Sequence, residues 1–256
     1  MRVVMLGSGN TATVLCEVIA NAGHQIVQIV SRKEEHAKLL AAAYSATTAT
    51  LTAAELDPAD IYIVALNDTS LDHVESIPGI RDQLVVHTAG SVSIDVLSSC
   101  TSTYGVLYPL QTLSKSSTHV PEIPFLIDGS DKDTLHRILG FAKSISHKVM
   151  EANDAERLRY HIAAVFVSNF ANHMYVLGEL YCNKERLDFK TLLPLIEETT
   201  QRVKEISPFL SQTGPAVRDD IFTLSKHLQA LSSNPDIKYL YLKLSESIIK
   251  FHVKHQ

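Results

Sequence analysis

Cysteine is scarce in this 256-residue chain: Cys16, Cys100 and Cys182 stand far apart, without a CxxC or Cys/His spacing. No disulfide framework or zinc site can be drawn from them, so they are expected to be reduced, buried thiols. Basic surplus is also missing, because 23 Lys and Arg face 28 Asp and Glu for a net charge of -5. A nucleic-acid backbone or an anionic membrane surface calls for the opposite balance, which leaves a small molecule as the expected partner. No apolar run reaches the roughly 18 residues of a membrane span. The stretch before Gly7 is too short for the apolar core of a secretion signal, so the expected compartment is the cytoplasm. Repeats and low-complexity tracts are absent too. What is present is ordinary globular composition, 45% hydrophobic and 20% charged, in a length that supports two domains.

The first half alternates short β-branched runs with amphipathic stretches, the pattern of βαβ units around a parallel sheet. Strands are expected at residues 2–6, 25–30, 61–66, 84–87, 103–107, 125–128 and 148–151, with helices at 11–22, 33–43, 70–76 and 131–145. From Asn153 onward the strand signal disappears, and helical periodicity runs through 156–181, 189–207, 215–232 and 235–253. The expected division is therefore an α/β domain over 1–152 and an all-helical domain over 153–256.

The first strand runs directly into Gly7-Ser8-Gly9-Asn10-Thr11-Ala12, a GxGxxA element opening a helix. With a strand before it, a helix after it and a second strand at the right distance, it reads as a dinucleotide-binding turn. Gly7 permits the turn, Gly9 lets backbone approach a pyrophosphate, and Ala12 allows close helix packing. The end of the second strand usually carries an acid for the ribose hydroxyls; here it carries Ser31-Arg32-Lys33. A hydroxyl with two cations suits a 2'-phosphate, so NADP is expected over NAD. Arg32 and Lys33 could instead be a solvated helix start. Asn67 and Asp68 follow the 61–66 strand, at the sheet edge where such folds bind ligands; they are candidate walls of the cofactor cleft, although Asp68 could equally be a helix cap. His87, at the end of its own strand, is either a proton donor or merely a hydrogen-bonded residue.

These elements, with His87-Thr88-Ala89-Gly90, Tyr108-Pro109-Leu110-Gln111, Ser168-Asn169-Phe170 and Gly214-Pro215-Ala216-Val217-Arg218-Asp219-Asp220, resemble a group of bacterial proteins over nearly the whole chain. That group joins a Rossmann-like NADP-binding domain to a helical C-terminal domain of unknown function. It is similar in turn to pyrroline-5-carboxylate reductase, deazaflavin-dependent NADP oxidoreductase and the 6-phosphogluconate dehydrogenase superfamily. The resemblance implies a 6-phosphogluconate dehydrogenase-like helical domain, a homodimer through that domain and an active site between domains; it supplies no substrate. Val165 stands where β-hydroxyacid dehydrogenases carry a catalytic Lys, four residues before Asn169. Tyr108 stands where many members have His before Pro, so a donor there would be a phenol.

On the helix through 156–181, Asp154, Arg157, His161, Ser168, Asn172, Tyr175 and Glu179 form a polar stripe, expected to be a solvated face. Asn169 and His173 fall inside the edge of the apolar arc, where they either tie helices together or hold a substrate. Gly214-Pro215 reads as a helix start, with Arg218 one turn in as a bidentate clamp for a carboxylate or phosphate; the alternative is an ion pair with Asp219 or Asp220. The reading is an NADP-dependent oxidoreductase acting on a small anionic substrate, with Tyr108 or His87 as donor, Asn169 and His173 as orienters and Arg218 as clamp. Its rival is a non-catalytic NADP-binding sensor or scaffold. No metal site is expected.

Overall fold

A computed structural model describes residues 1–52 and 55–254. The chain forms two compact units, Met1–Phe170 and Ala171–Gln256.

The first unit holds an eight-stranded sheet: β1 (Arg2–Leu6), β2 (Gln25–Ser31), β3 (Thr47–Thr50), β4 (Ile61–Val64), β5 (Val85–His87), β6 (Tyr104–Pro109), β7 (Phe125–Gly129) and β8 (Val149–Glu151). The order is β3-β2-β1-β4-β5-β6-β7-β8, and the neighbours are parallel except β6 and β7. Side chains alternate across each strand: Val3 and Met5 of β1 enter one apolar layer, Val4 and Leu6 the other. The first layer is covered by α1 (Asn10–Asn21), α2 (Glu34–Ala41) and α3 (Lys132–Ile145). On the second face Leu71 and Val74 come from a 3-10 turn, Asp68–Ser76, where the sequence suggested a short α-helix.

Strand β3 is absent from the sequence-based expectation: its threonines favour extended backbone, but Thr-Thr-Ala-Thr has no apolar alternation to mark a core-facing strand and lies largely half-buried at the sheet edge. The strand expected over 61–66 stops at Val64; the Ala65 amide still donates to the Leu6 carbonyl and the Thr88 amide to the Val64 carbonyl, the last rungs of the parallel ladders on either side. Strand β8 ends at Glu151, beside the composition shift read at 152. Asn153 then caps α4 (Asp154–Ala164) in a reciprocal capping box with Glu156; two orphan amides are satisfied at once. A π-helical turn, Val165–Phe170, follows α4 and ends the first unit.

The second unit is helical: α5 (Ala171–Lys184), α6 (Leu193–Glu205), α7 (Pro208–Ser211), α8 (Ile221–Ala230) and α9 (Pro235–Lys254). The helix expected to begin at Gly214-Pro215 begins only at Ile221. Asp220 is its cap, accepting from the Thr223 amide at 3.0 Å, while Asp219 sits in the left-handed region (φ 51) and separates the hydrogen-bonded turn that follows Gly214-Pro215 from α8. Buried side chains are few here, Cys182, Leu224 and Leu231 among them, whereas Leu210 and Phe222 are each 71% exposed. All three cysteines are free and buried, and burial pushes the Cys16 thiol up to about 12.

Candidate functional site

The end of β1 builds the first cavity. Gly7 has φ +137, and a Cβ there would overlap the Ala65 carbonyl oxygen, so only glycine serves. Gly9 caps α1 with extended backbone, and no side chain caps that end or places an acid in its first turn. Its first amides and the positive end of the helix dipole are thus left for an anion. A Cβ on Gly9 would meet open space, which is the clearance a pyrophosphate needs. Ser8 Oγ and Ser31 Oγ lie 2.7 Å apart, locking this loop to the end of β2. Ala12 is fully buried against the sheet.

The resulting groove, about 830 Å³, is lined by Gly7, Ser8, Gly9, Ser31, Arg32, Lys33 and Asn67, and also by His36 and Lys115. The last two escaped the sequence reading. His36 could have been found from its place one turn along α2 after Lys33, whereas Lys115 arrives from a loop with no local link to the motif. Among the described residues no acid lines the groove. The residues present therefore fit a phosphorylated dinucleotide: open helix amides for the pyrophosphate, a hydroxyl and cations for a further phosphate. Asn10 Oδ1 accepts from the Lys115 amide. Asp68 is not on the groove wall; its carboxylate accepts from Ser91 Oγ at 2.8 Å, and Asn67 rather than Asp68 precedes the 3-10 turn.

A second cavity, about 570 Å³, includes Thr11 of α1, Thr88 after β5, Tyr108 of β6, Gln111 to Leu113, His161 of α4, and Ser168 and Asn169 of the π turn. Tyr108 Oη and His161 Nδ1 lie 2.9 Å apart, with the rings edge to face. Burial raises the Tyr108 phenol above its ordinary value, partly offset by the charge of Arg157. A phenol so placed keeps its proton at neutral pH and is a donor rather than a base. Thr112 Oγ1 and Ser168 Oγ, 2.5 Å apart, join the loop after β6 to the π turn. Such turns widen a helix locally and recur at functional sites.

Arg157 overturns the expectation of a solvated stripe: its side chain is 1% exposed. Its Nη2 donates to the Val92 carbonyl (2.5 Å) and to Asp154 Oδ1 (2.6 Å), and the same carboxylate oxygen accepts the Ile94 amide (3.1 Å). Nε and Nη1 have no partner among the described residues. Although burial pushes the Asp154 carboxyl up, hydrogen bonds from Ser93, Arg157 and the Ile94 amide outweigh it and hold it low. This pair latches the loop after β5 onto the first turn of α4.

His87 is fully buried and is not on either cavity wall. Its Nδ1 accepts from the Ala89 amide; burial, then the Arg157 charge, push its pKa down to about 4. Asn169 and His173 are exposed rather than buried among helices; Asn169 is on the second cavity, and His173 belongs to the second unit. Arg218 also lies in the second unit, in the turn before α8, and forms no ion pair with Asp219 or Asp220.

Residues 2–96 match the family described as NADP oxidoreductase, coenzyme F420-dependent, and residues 123–248 match a domain of unknown function, DUF2520. Among curated proteins none matches the chain. A Bacteroides fragilis protein provisionally named an NADP oxidoreductase is 38% identical, with 97% of this chain and 98% of that one covered and a TM-score of 0.87. Two more distant structures share the fold. One is a 1-pyrroline-5-carboxylate reductase from Streptococcus pyogenes (14% identity, 98% of each chain, TM-score 0.61). The other is a reductive aminase from Aspergillus terreus in complex with NADPH4, cyclohexanone and allyl amine (13% identity, 97% and 93%, TM-score 0.71). The open amides and cationic groove at the glycine loop agree with these matches, and the chain belongs to the NADP oxidoreductase family in which a Rossmann-like domain is followed by DUF2520.

Proposed function

We propose that the protein is an NADP-dependent reductase that binds its dinucleotide along the glycine loop and reduces a small carbonyl or imine compound in the Tyr108 cavity. The carrying observation is that Thr11, the second residue of the dinucleotide helix, shares that cavity with the hydrogen-bonded Tyr108 and His161. Gly7 to Ala12 hold the pyrophosphate, Ser31, Arg32 and Lys33 the 2'-phosphate, and Asn67 the wall of the cleft. NADPH supplies the hydride. Tyr108 Oη donates a proton to the oxygen or nitrogen on which negative charge develops, and His161 returns one to the phenol through Nδ1. Ser168 and Asn169 orient the substrate by hydrogen bonding. His87, sealed and neutral, supports the loop instead of donating.

No Arg or Lys lines this cavity. Arg218 and His173 are proposed as contacts of the helical unit for a negatively charged substrate group, and residues 153–256 as the substrate-binding and dimerising module of a homodimer. Three buried, unpaired thiols fit a reducing cytoplasm.

The test is NADPH oxidation by the purified protein with a panel of cyclic imines, keto acids and aldehydes. Turnover that is abolished in Tyr108→Phe while NADPH still binds supports the reading. Tight NADPH binding without turnover on any member supports the sensor instead. Arg218→Lys keeps the charge but loses the planar fork, so it should raise KM for acidic substrates only.

A further inference from the structure

The segment linking β6 to β7 takes part in both cavities. Gln111, Thr112 and Leu113 wall the Tyr108 cavity, and two residues on, Lys115 lines the groove at the glycine loop. It is tied at both ends, by Thr112 to Ser168 on the π turn and by the Lys115 amide, which donates to Asn10 Oδ1 at 3.3 Å on the first residue of α1. Between and beyond these ties it folds on itself: Ser114 Oγ and Ser116 Oγ are 2.8 Å apart, and the Ser117 hydroxyl donates to the His119 carbonyl at 2.8 Å.

Lys115 brings a charge that nothing nearby neutralises. Among the described residues Lys115, Arg32 and Lys33 enter no ion pair, and no Asp or Glu lines the groove they share. Like charges gathered on one concave surface repel one another, and the arrangement is relieved when a polyanion enters. The Ser31-Arg32-Lys33 run and the open end of α1 are local consequences of the dinucleotide motif, but Lys115 is not. Its amide is anchored beside the anion-binding turn, and the residue is on the wall of the cationic groove.

We infer that Lys115 is a phosphate-binding residue of the dinucleotide site, carried on a strap whose other end walls the Tyr108 cavity, so that a bound cofactor phosphate also steadies the reaction cavity. This rests on the NADPH reading above. The ligand chemistry is a phosphate of the dinucleotide, either the pyrophosphate or the 2'-phosphate.

Calorimetry with NADPH and NADH on wild type, Lys115→Met and Lys115→Arg tests it, with amide hydrogen exchange over residues 111–117 reading the strap. The Met variant should lose about ten- to a hundredfold in NADPH affinity, the range of a charge-assisted contact, and Arg should retain most of it. An equal loss for NADH assigns the pyrophosphate; a loss confined to NADPH assigns the 2'-phosphate. NADPH should slow exchange over the strap in wild type and not in the Met variant. Unchanged affinities in the Met variant overturn the assignment, as does a loss in Arg as large as in Met, and exchange indifferent to NADPH overturns the coupling. A wild type that binds neither dinucleotide defeats the functional reading itself and takes this inference with it, whereas normal binding with an indifferent Lys115 defeats this inference alone.

Discussion

Tyr108 and His161, fifty-three residues apart, share a 2.9 Å hydrogen bond on the wall of a cavity that also includes Thr11 of the dinucleotide helix. Tyr108 comes from β6, where strand geometry aims alternate side chains to one face, and His161 from α4, whose first turn is latched to the loop after β5. The pair is thus held by two rigid elements, which is what a proton donor requires.

Replacing Tyr108 by Phe removes only the hydroxyl. Turnover should fall about 10²- to 10⁴-fold, the usual contribution of a positioned acid, while NADPH affinity stays within about twofold. Steady-state kinetics beside calorimetry separates the two, and a variant with wild-type turnover on the best substrate would remove Tyr108 from the chemistry.

Arg32→Ala should weaken NADPH by about 1.5 to 3 kcal/mol, the worth of a hydrogen bond to a charged group, and leave NADH unchanged. Equal affinities of the wild type for the two dinucleotides would reject the 2'-phosphate role of Ser31, Arg32 and Lys33.

The Arg157 latch should be among the most sensitive points of the first unit. Arg157→Met leaves the Val92 carbonyl and the half-exposed Asp154 carboxylate without their partner, at a cost of about 1 to 3 kcal/mol. Asp154→Asn should also destabilise, and the double variant should lose less than the sum of the singles because they share one interaction. Thermal unfolding of the four proteins reads this; strictly additive losses would show the two residues act independently.

His87 makes stability depend on pH in a stated direction. Its pKa falls from 6.5 to about 4 on folding, so below pH 6.5 the unfolded chain takes up a proton that the folded chain refuses until about pH 4. Stability is therefore full above pH 6.5 and is lost progressively as pH falls to about 4, by about 3 kcal/mol for this group. In His87→Asn, whose side-chain oxygen can still accept the Ala89 amide, the slope of denaturant stability over that window should flatten. An unaltered slope would assign the acid sensitivity elsewhere.

The helical unit exposes the large apolar side chains of Leu210, Phe222, Leu195 and Tyr239, surface that association would cover. Homodimerisation through this unit is expected, and Phe222→Asp should weaken it. Sedimentation showing a monomer of 28.2 kDa at micromolar concentration would contradict it.

What the sequence by itself determined is local. A glycine loop between a strand and a helix, the missing acid after β2 and the change of period beyond Glu151 are each decided by neighbours in the chain, and the fold preserves all three. The departures are also local: Thr47–Thr50 pairs at an edge with Ala49 as its one apolar residue, and the left-handed Asp219 with the Asp220 cap delays the helix expected from Gly214-Pro215. The tertiary structure alone decided the burial of Arg157, because a charge on a polar stripe becomes interior only when the Val92 carbonyl and the loop after β5 close over it. It alone placed His161 against Tyr108 and Lys115 in the cationic groove, since such meetings depend on how distant elements pack, and periodicity along one element carries no record of that.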